Sequence, residues 1–114
     1  MFIFVTRHKG AIEWAHRHGI FGPDFGPKTL ISKTVPYLTE YILSEIDSRD
    51  TVAGILPLHL AARVCATGAR FLSLDIDVPP EARGKELTAD EMERYGARLI
   101  EYKVKAVGSV CNKL

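Results

Sequence analysis

The sequence predicts an α/β fold, in which a mainly parallel sheet carries helices on both faces. Short apolar segments alternate with segments of helical periodicity along the chain, and this alternation is typical of parallel strands joined by crossover helices. Glycines follow two of the helical segments, where glycine commonly ends a helix. At 114 residues the chain has the length of one domain with one hydrophobic core. We therefore expect a single α/β domain over residues 1–114.

The amino-terminal segments predict a buried central strand followed by a helix. Residues 2–6 are apolar or β-branched throughout, as in strands that are covered on both faces. Residues 11–18 have apolar side chains at helical spacing, and Gly19 follows them as a C-terminal stop. Residues 20–28 are rich in Gly, Pro and Phe and predict a loop.

The middle of the chain predicts an edge strand and a short capped helix. Residues 33–38 hold several β-forming side chains, but Pro36 cannot donate to a hydrogen-bond ladder. This strand should therefore lie at an edge of the sheet. Thr39 is a candidate N-cap for a brief helix over residues 40–46, because its hydroxyl can accept from a free amide of the first turn.

The carboxyl-terminal half repeats the alternation of strand and helix. Residues 51–56 and 69–76 predict two further buried strands, with a helix over residues 58–67 between them. Residues 88–91, Thr-Ala-Asp-Glu, have the spacing of a capping box and predict a helix start. Beyond Gly96 two interpretations stay open, because the apolar side chains fit both helical spacing and the alternation of a terminal strand.

Charge and composition exclude several classes of function. The net charge is +1, from 15 basic and 14 acidic side chains, so the chain lacks the broad basic field of a duplex-DNA binder. Cys65 and Cys111 have neither Cys-x-x-Cys spacing nor a nearby histidine cluster, so we expect no zinc site and no other cofactor. No apolar run reaches the roughly 20 residues of a membrane span. The short apolar start lacks a basic leader, so we expect a cytoplasmic protein without membrane contact.

The end of the first strand carries the strongest candidate site. Thr6, Arg7, His8 and Lys9 follow the strand directly, and Gly10 leads into the helix. Ligands of such sheets bind beyond the carboxyl ends of the strands, and a helix N-terminus favours an anion. Arg7 offers a planar fork for phosphate oxygens, Lys9 a mobile charge, and His8 a group for proton transfer near neutral pH. The alternative is a solvated basic turn.

Two later strand ends could contribute to this site. Pro57 and His59 follow the second buried strand, and His59 in the first turn of the next helix should face the same crevice as His8. Asp75 and Asp77 end the third strand. One of these carboxylates could hold a ribose hydroxyl, although a role in capping and solubilising the loop is the simpler interpretation.

A second group of cations precedes the capping box. Arg83, Gly84 and Lys85 lie just before that helix start and form another candidate anion site, with a flexible charged loop as the alternative. The P-loop, the dinucleotide-binding glycine motif and the nucleophile elbow do not occur in the sequence. Nucleotide triphosphate hydrolysis by the usual loop, dinucleotide redox chemistry and α/β-hydrolase chemistry therefore lose support.

Three segments, in their order and spacing, resemble a small CRISPR-associated accessory family of type III loci. They are residues 4–15 (FVTRHKGAIEWA), residues 54–62 (GILPLHLAA), and residues 82–88 (ARGKELT) together with 95–99 (YGARL). Members of that family are short Rossmann-like proteins, related in architecture to CARF sensor domains. The resemblance covers most of the chain apart from residues 21–43 and implies one CARF-like domain.

The resemblance implies a ring nuclease. Such enzymes cleave cyclic oligoadenylate messengers, chiefly cyclic tetra-adenylate, and generally act as homodimers without a metal. A ribose 2′-hydroxyl attacks the adjacent phosphate, so the site must orient the sugar and stabilise charge on phosphorus. On this resemblance, His8 would be the first choice for general acid or base and His59 the second. The phosphates would then contact Arg7, the Gly10 amide, Arg83 and Lys85, with Thr6, Lys9, Pro57 and Gly84 as further ligand contacts.

Three other functions stay open from the sequence. A CARF-like dimer could sequester cyclic oligoadenylate without cleaving it. Residues 5–8, Val-Thr-Arg-His, also resemble the Arg-His-Gly motif of histidine phosphatases. Here Lys9 stands in the place of the glycine, and the chain is shorter than that fold requires. The third alternative is an interaction protein in which the basic turn is solvated surface.

Overall fold

The computed structural model describes residues 1–20 and 32–110 and shows the predicted α/β fold. Within these residues one sheet contains five strands: β1 (Phe2–Val5), β2 (Ser32–Val35), β3 (Thr51–Gly54), β4 (Arg70–Asp75) and β5 (Arg98–Tyr102). Their order is β2-β1-β3-β4-β5, with β1 to β4 parallel and β5 antiparallel to β4. The predicted loop over residues 20–28 lies outside the described residues apart from Ile20, as does Cys111.

Helices cover both faces of this sheet, as the sequence predicts. In the described residues they are α1 (Lys9–Arg17), α2 (Glu40–Glu45), α3 (Leu58–Ala66) and α4 (Ala89–Arg94), with a 3-10 turn over Pro80–Ala82. Phe2 and Phe4 of β1 point into the core beneath α1 and α4. Ile3 and Val5 point into the core on the other face, which α2 and α3 cover. The alternating side chains of one central strand therefore join both cores.

Most predicted elements form within a few residues of their expected bounds. β2 lies at an edge, as the proline at position 36 predicts, and Thr39 caps α2 by accepting a 3.2 Å hydrogen bond from the Ile42 amide. The capping box also forms: the Glu91 amide donates to Thr88 Oγ1 at 3.1 Å, and the Thr88 amide donates to Glu91 Oε1 at 3.0 Å. Helix α1 begins at Lys9, two residues before the predicted start.

The ambiguous segment after Gly96 is a strand and not a continuation of the helix. Gly96 adopts a positive φ of 70°, and the Ala97 amide donates to the Met92 carbonyl, so the chain turns away from α4 there. Leu99 packs against the core beneath α1 and α4, whereas Ile100 and Tyr102 lie on the opposite face and are partly exposed. The helical interpretation of this segment was wrong because a glycine stop ended the helix before its apolar spacing could continue.

The centre of the sheet is a topological switch point. From β1 the chain moves outward to β2, and it then returns to place β3 on the other side of β1. Gly54 ends β3 with φ 145°, and a Cβ added there would lie 2.4 Å from the Val5 carbonyl oxygen. Glycine therefore permits the ends of β1 and β3 to converge. Parallel sheets bind ligands at such points.

A polar clamp fastens α1 to α4. The Trp14 side chain is almost fully buried, and its indole Nε1 donates a 2.6 Å hydrogen bond to Glu93. The His18 ring lies tilted against Trp14, with ring centroids 4.7 Å apart, and also contacts Glu93. Arg17 pairs with Asp90 at 2.6 Å. The clamp fixes α4, and with it the loop that precedes α4. No helix among the described residues has the length and apolar character to cross a bilayer.

We expect Glu93→Gln to lower the melting temperature by a few degrees at neutral pH. The contact with His18 holds the pKa of Glu93 below its usual value of 4.5, and the Trp14 hydrogen bond acts in the same direction. Because this folded-state pKa is depressed, the stabilisation is fully present above pH 4.5 and is lost as the pH falls through the folded-state value. The difference in melting temperature between the wild type and Glu93→Gln should therefore become smaller at acid pH.

Thermal unfolding followed by circular dichroism at several pH values measures this difference. Glu45→Gln is a matched control, because it removes the same charge from an exposed position at the end of α2. Equal melting temperatures for the two variants at neutral pH would show that the clamp does not stabilise the fold.

Candidate functional site

A cleft of about 380 Å³ lies beyond the carboxyl ends of the parallel strands. Strand ends, α1, α4 and the loop before α4 all contribute to it. Its apolar wall includes Val5, Ala11, Leu74, Ile76, Leu87 and Met92. Its polar lining residues include Thr6, Arg7, His8 and Lys85. The structure thus brings Arg7 and His8, which follow β1, together with Lys85 of the later loop at this edge of the sheet.

Arg7 is oriented by an aromatic side chain that follows β2. Its Nη1 donates a 3.2 Å hydrogen bond to the Tyr37 hydroxyl, and its guanidinium carbon lies 5.2 Å from the centre of the Tyr37 ring. Stacking and hydrogen bonding restrict a side chain that would otherwise sample many rotamers. The remaining guanidinium donors can then meet a ligand at lower entropic cost.

His8 is the N-cap residue of α1 and is paired with an acidic side chain. Its amide donates to Thr6 Oγ1 at 3.1 Å, which fixes the backbone before the helix. Its ring Nδ1 lies 2.9 Å from both carboxylate oxygens of Glu86. Glu86 precedes α4 and is 78 residues away in sequence, so the contact joins two distant parts of the chain.

Gly10 serves a packing role at the start of α1. It is buried, and a Cβ added to it would lie 2.0 Å from the Leu87 carbonyl oxygen. Only glycine permits the loop before α4 to approach the helix this closely. The loop can then present Lys85 and Glu86 to the residues that follow β1.

The other predicted site residues occupy different positions. His59 is exposed in the first turn of α3 and lines a separate groove between α3 and the chain after β5, so the expectation that it shares a crevice with His8 is not met. The α3 helix covers the opposite face of the sheet from the cleft, which explains the separation. The exposed residues Lys9, Pro57, Arg83 and Gly84 are not among those that line the cleft.

Asp75 and Asp77 are engaged by protein groups. Asp75 accepts hydrogen bonds from the Ser73 hydroxyl and the Tyr102 hydroxyl, both at 2.7 Å, and Asp77 pairs with Arg98 at 3.1 Å. Burial alone would raise the pKa of Asp75, but the two hydroxyl donors outweigh it and hold that pKa below its usual value. The Asp75 carboxylate raises the pKa of Tyr102 in turn. These contacts favour the structural interpretation of both aspartates.

Sequence reasoning missed two residues that contact the cleft's side chains from outside it: Glu86, which contacts His8, and Tyr37, which contacts Arg7. Glu86 stands in a charged loop where the sequence does not show which side chain reaches His8. Tyr37 follows an edge strand whose distance from Arg7 becomes visible only when β2 pairs with β1. Within residues 1–20 and 32–110, the His, Cys, Asp and Glu side chains form no group of three or more that could hold a metal ion.

By its fold this protein is a small Rossmann-like α/β protein. Its cleft at the switch point is lined by basic side chains and by an apolar wall. Residues 3–105 match the family described as "Putative CRISPR-associated protein (Cas_VVA1548)". The chain belongs to this CRISPR-associated family, which confirms the CRISPR association that the sequence predicted. We find no match among curated proteins and none among solved structures.

We expect Gly10→Ala to destabilise the fold by about 1–3 kcal/mol, because the added methyl group must displace the Leu87 carbonyl. The expected change is opposite in direction to the usual one, since replacing glycine by alanine within an ordinary helix stabilises the protein by about 0.5–1 kcal/mol. Urea unfolding monitored by circular dichroism measures the change. A stabilised Gly10→Ala variant would contradict the close approach of the loop to α1.

Proposed function

We propose that this protein is a ring nuclease that cleaves cyclic oligoadenylate, chiefly cyclic tetra-adenylate, and thereby ends type III CRISPR signalling. Membership of a CRISPR-associated family supports this proposal, and so does the resemblance of its motifs to a family of such enzymes. The observation that carries it is the convergence of Arg7, His8 and Lys85 on one cleft with an apolar wall. A nucleotide offers matching chemistry, with an anionic phosphate beside an apolar base face.

The proposed reaction is an internal transesterification. The ribose 2′-oxygen attacks phosphorus, so a new P–O2′ bond forms and the P–O5′ bond breaks. A base removes the proton of the 2′-hydroxyl, and an acid returns a proton to the departing 5′-oxygen. The products end in a 2′,3′-cyclic phosphate and a 5′-hydroxyl, and the nucleophile belongs to the substrate itself.

His8 is the group that we assign to proton transfer. Its imidazole lines the cleft, and proton transfer by a positioned side chain commonly contributes about 10²–10⁴-fold to a rate. Arg7, held by Tyr37, would bind the phosphoryl oxygens as charge builds on them. Lys85, which also lines the cleft, would neutralise a flanking phosphate. The apolar wall would receive a base and keep water from the reacting phosphate.

The resemblance implies a homodimer, and the size of the cleft is compatible with one. Its 380 Å³ lies in the lower part of the range for small-ligand pockets, which is about 300–1,000 Å³. A ring of four nucleotides would extend beyond one such cleft. Two copies of the chain related by a two-fold axis would supply two clefts to one ring.

The test is cleavage of cyclic tetra-adenylate in excess chelator, with the products separated by chromatography. We expect linear tetra- and di-adenylate that end in a 2′,3′-cyclic phosphate. His8→Ala should lower the single-turnover rate by about 100-fold or more, because it removes the proton-transfer group. His59→Ala is the matched control, since that exposed imidazole lines the separate groove and should be dispensable.

Other results would reject this assignment. Full activity in both His8→Ala and Arg7→Ala would show that catalysis occurs elsewhere. An intact ring that co-elutes with the wild-type protein would establish sequestration without cleavage. An intact ring without binding would leave the family membership and the fold without this function.

A further inference from the structure

Glu86 stands out because it is an acid that contacts a side chain of the cleft proposed for a polyanion. Both of its carboxylate oxygens lie 2.9 Å from His8 Nδ1, although the two side chains are 55% and 63% exposed. A carboxylate beside phosphates repels them, so its presence weakens ligand binding unless it serves another purpose. Its contact with the proton-transfer group indicates what that purpose is.

The backbones of both partners are fixed by independent contacts. Thr6 holds the His8 amide, and α1 begins immediately afterwards. On the other side, the Leu87 carbonyl lies against Gly10, and the capping box fixes the chain at Thr88. The residues next to His8 and next to Glu86 are therefore anchored to each other. The contact between His8 and Glu86 therefore depends on the packing of the backbone around them as well as on the attraction between two solvated side chains.

The contact determines which ring nitrogen carries the proton. A carboxylate accepts hydrogen bonds and cannot donate them, so His8 Nδ1 must supply the hydrogen. In neutral imidazole the other nitrogen, Nε2, then has a free lone pair. In water the opposite form, with the proton on Nε2, is the more common one. Without the carboxylate, His8 would mostly present a donor where the reaction needs an acceptor.

We propose that Glu86 is a positioning residue that holds His8 in the Nδ1–H form, so that Nε2 can take the proton of a ribose 2′-hydroxyl. The role in catalysis rests on the proposed ring-nuclease function, whereas the control of the His8 tautomer does not. The proton moves from the 2′-oxygen to Nε2 as the P–O2′ bond forms. As the P–O5′ bond breaks, the departing 5′-oxygen takes a proton from water, and Nε2 then releases its own proton to solvent, while Nδ1 stays bonded to Glu86 throughout.

The two effects of Glu86 predict that its removal lowers kcat without raising KM. Removal of its negative charge should strengthen the binding of the polyanion, so KM should stay constant or fall. Loss of the correct tautomer should lower kcat, on the order of 10- to 100-fold, which is less than the loss of His8 itself. A residue that only stabilises the loop would lower kcat and raise KM together.

The kinetic experiment compares Glu86→Gln and Glu86→Ala with wild type at several substrate concentrations. Glu81→Gln is the matched control, because Glu81 is an exposed carboxylate five residues earlier in the same connection. We expect the control to retain the wild-type kcat. Unchanged kcat in both Glu86 variants, or an equal loss in Glu81→Gln, would overturn the catalytic role of Glu86.

The tautomer itself is measured on ¹⁵N-histidine-labelled protein without any ligand, at a pH where the imidazoles are neutral. Long-range ¹H–¹⁵N correlations should show the Nδ1–H form at His8 in the wild type and mainly the Nε2–H form in Glu86→Ala. The Nε2–H form in the wild type would overturn the inference even if the ring is cleaved. Failure of the wild type to cleave the ring would remove the proposed function. The spectrum would still show whether Glu86 holds His8 in the Nδ1–H form.

Discussion

The site depends on one close contact, that of the Leu87 carbonyl with Gly10. This contact brings the loop before α4 onto the first turn of α1, where no residue with a side chain would fit. The Glu93 clamp also holds α4 against α1, through the hydrogen bond from Trp14. Lys85 and Glu86 are consequently carried to the end of β1, where Arg7 and His8 emerge. Helix packing on one face of the sheet thus assembles a cleft from residues that lie about 80 positions apart in the chain.

The basic side chains of the cleft have an acidic neighbour. Arg7 and Lys85 line the cleft, and Glu86, which is not among the lining residues, contacts the His8 ring from beside it. A site that only binds phosphates would be weakened by the negative charge of Glu86. A site that must bind a polyanion and also move a proton requires both kinds of group. The apolar wall adds a surface that a nucleobase can contact, and this wall distinguishes the cleft from a bare phosphate site.

Local signals in the sequence predicted much of this structure. Apolar segments located β1, β3 and β4, a proline placed β2 at an edge, and Thr88 with Glu91 located the start of α4. The residues after β1 could be placed at this edge of the sheet because strand ends of parallel sheets are common binding positions, and three of them line the cleft. The partners Tyr37 and Glu86 were not recognisable, since their contacts depend on strand pairing and helix packing. His59 failed as a partner of His8 because sequence spacing placed it at a strand end but did not reveal the face of the sheet that α3 covers.

The most direct test of this account is an NMR titration of the histidine ring protons with cyclic tetra-adenylate whose 2′-hydroxyls are methylated, which the proposed reaction cannot cleave. The titration is informative because the four histidines lie in distinct places. His8 lines the cleft, His59 lines the groove beside α3, and the other two lie in the later part of α1 and at its end. We expect the His8 signal to shift strongly at stoichiometric ligand, with the other three nearly unchanged. A shift confined to His59, or no shift at saturating ligand, would contradict the assignment of the cleft as the binding site.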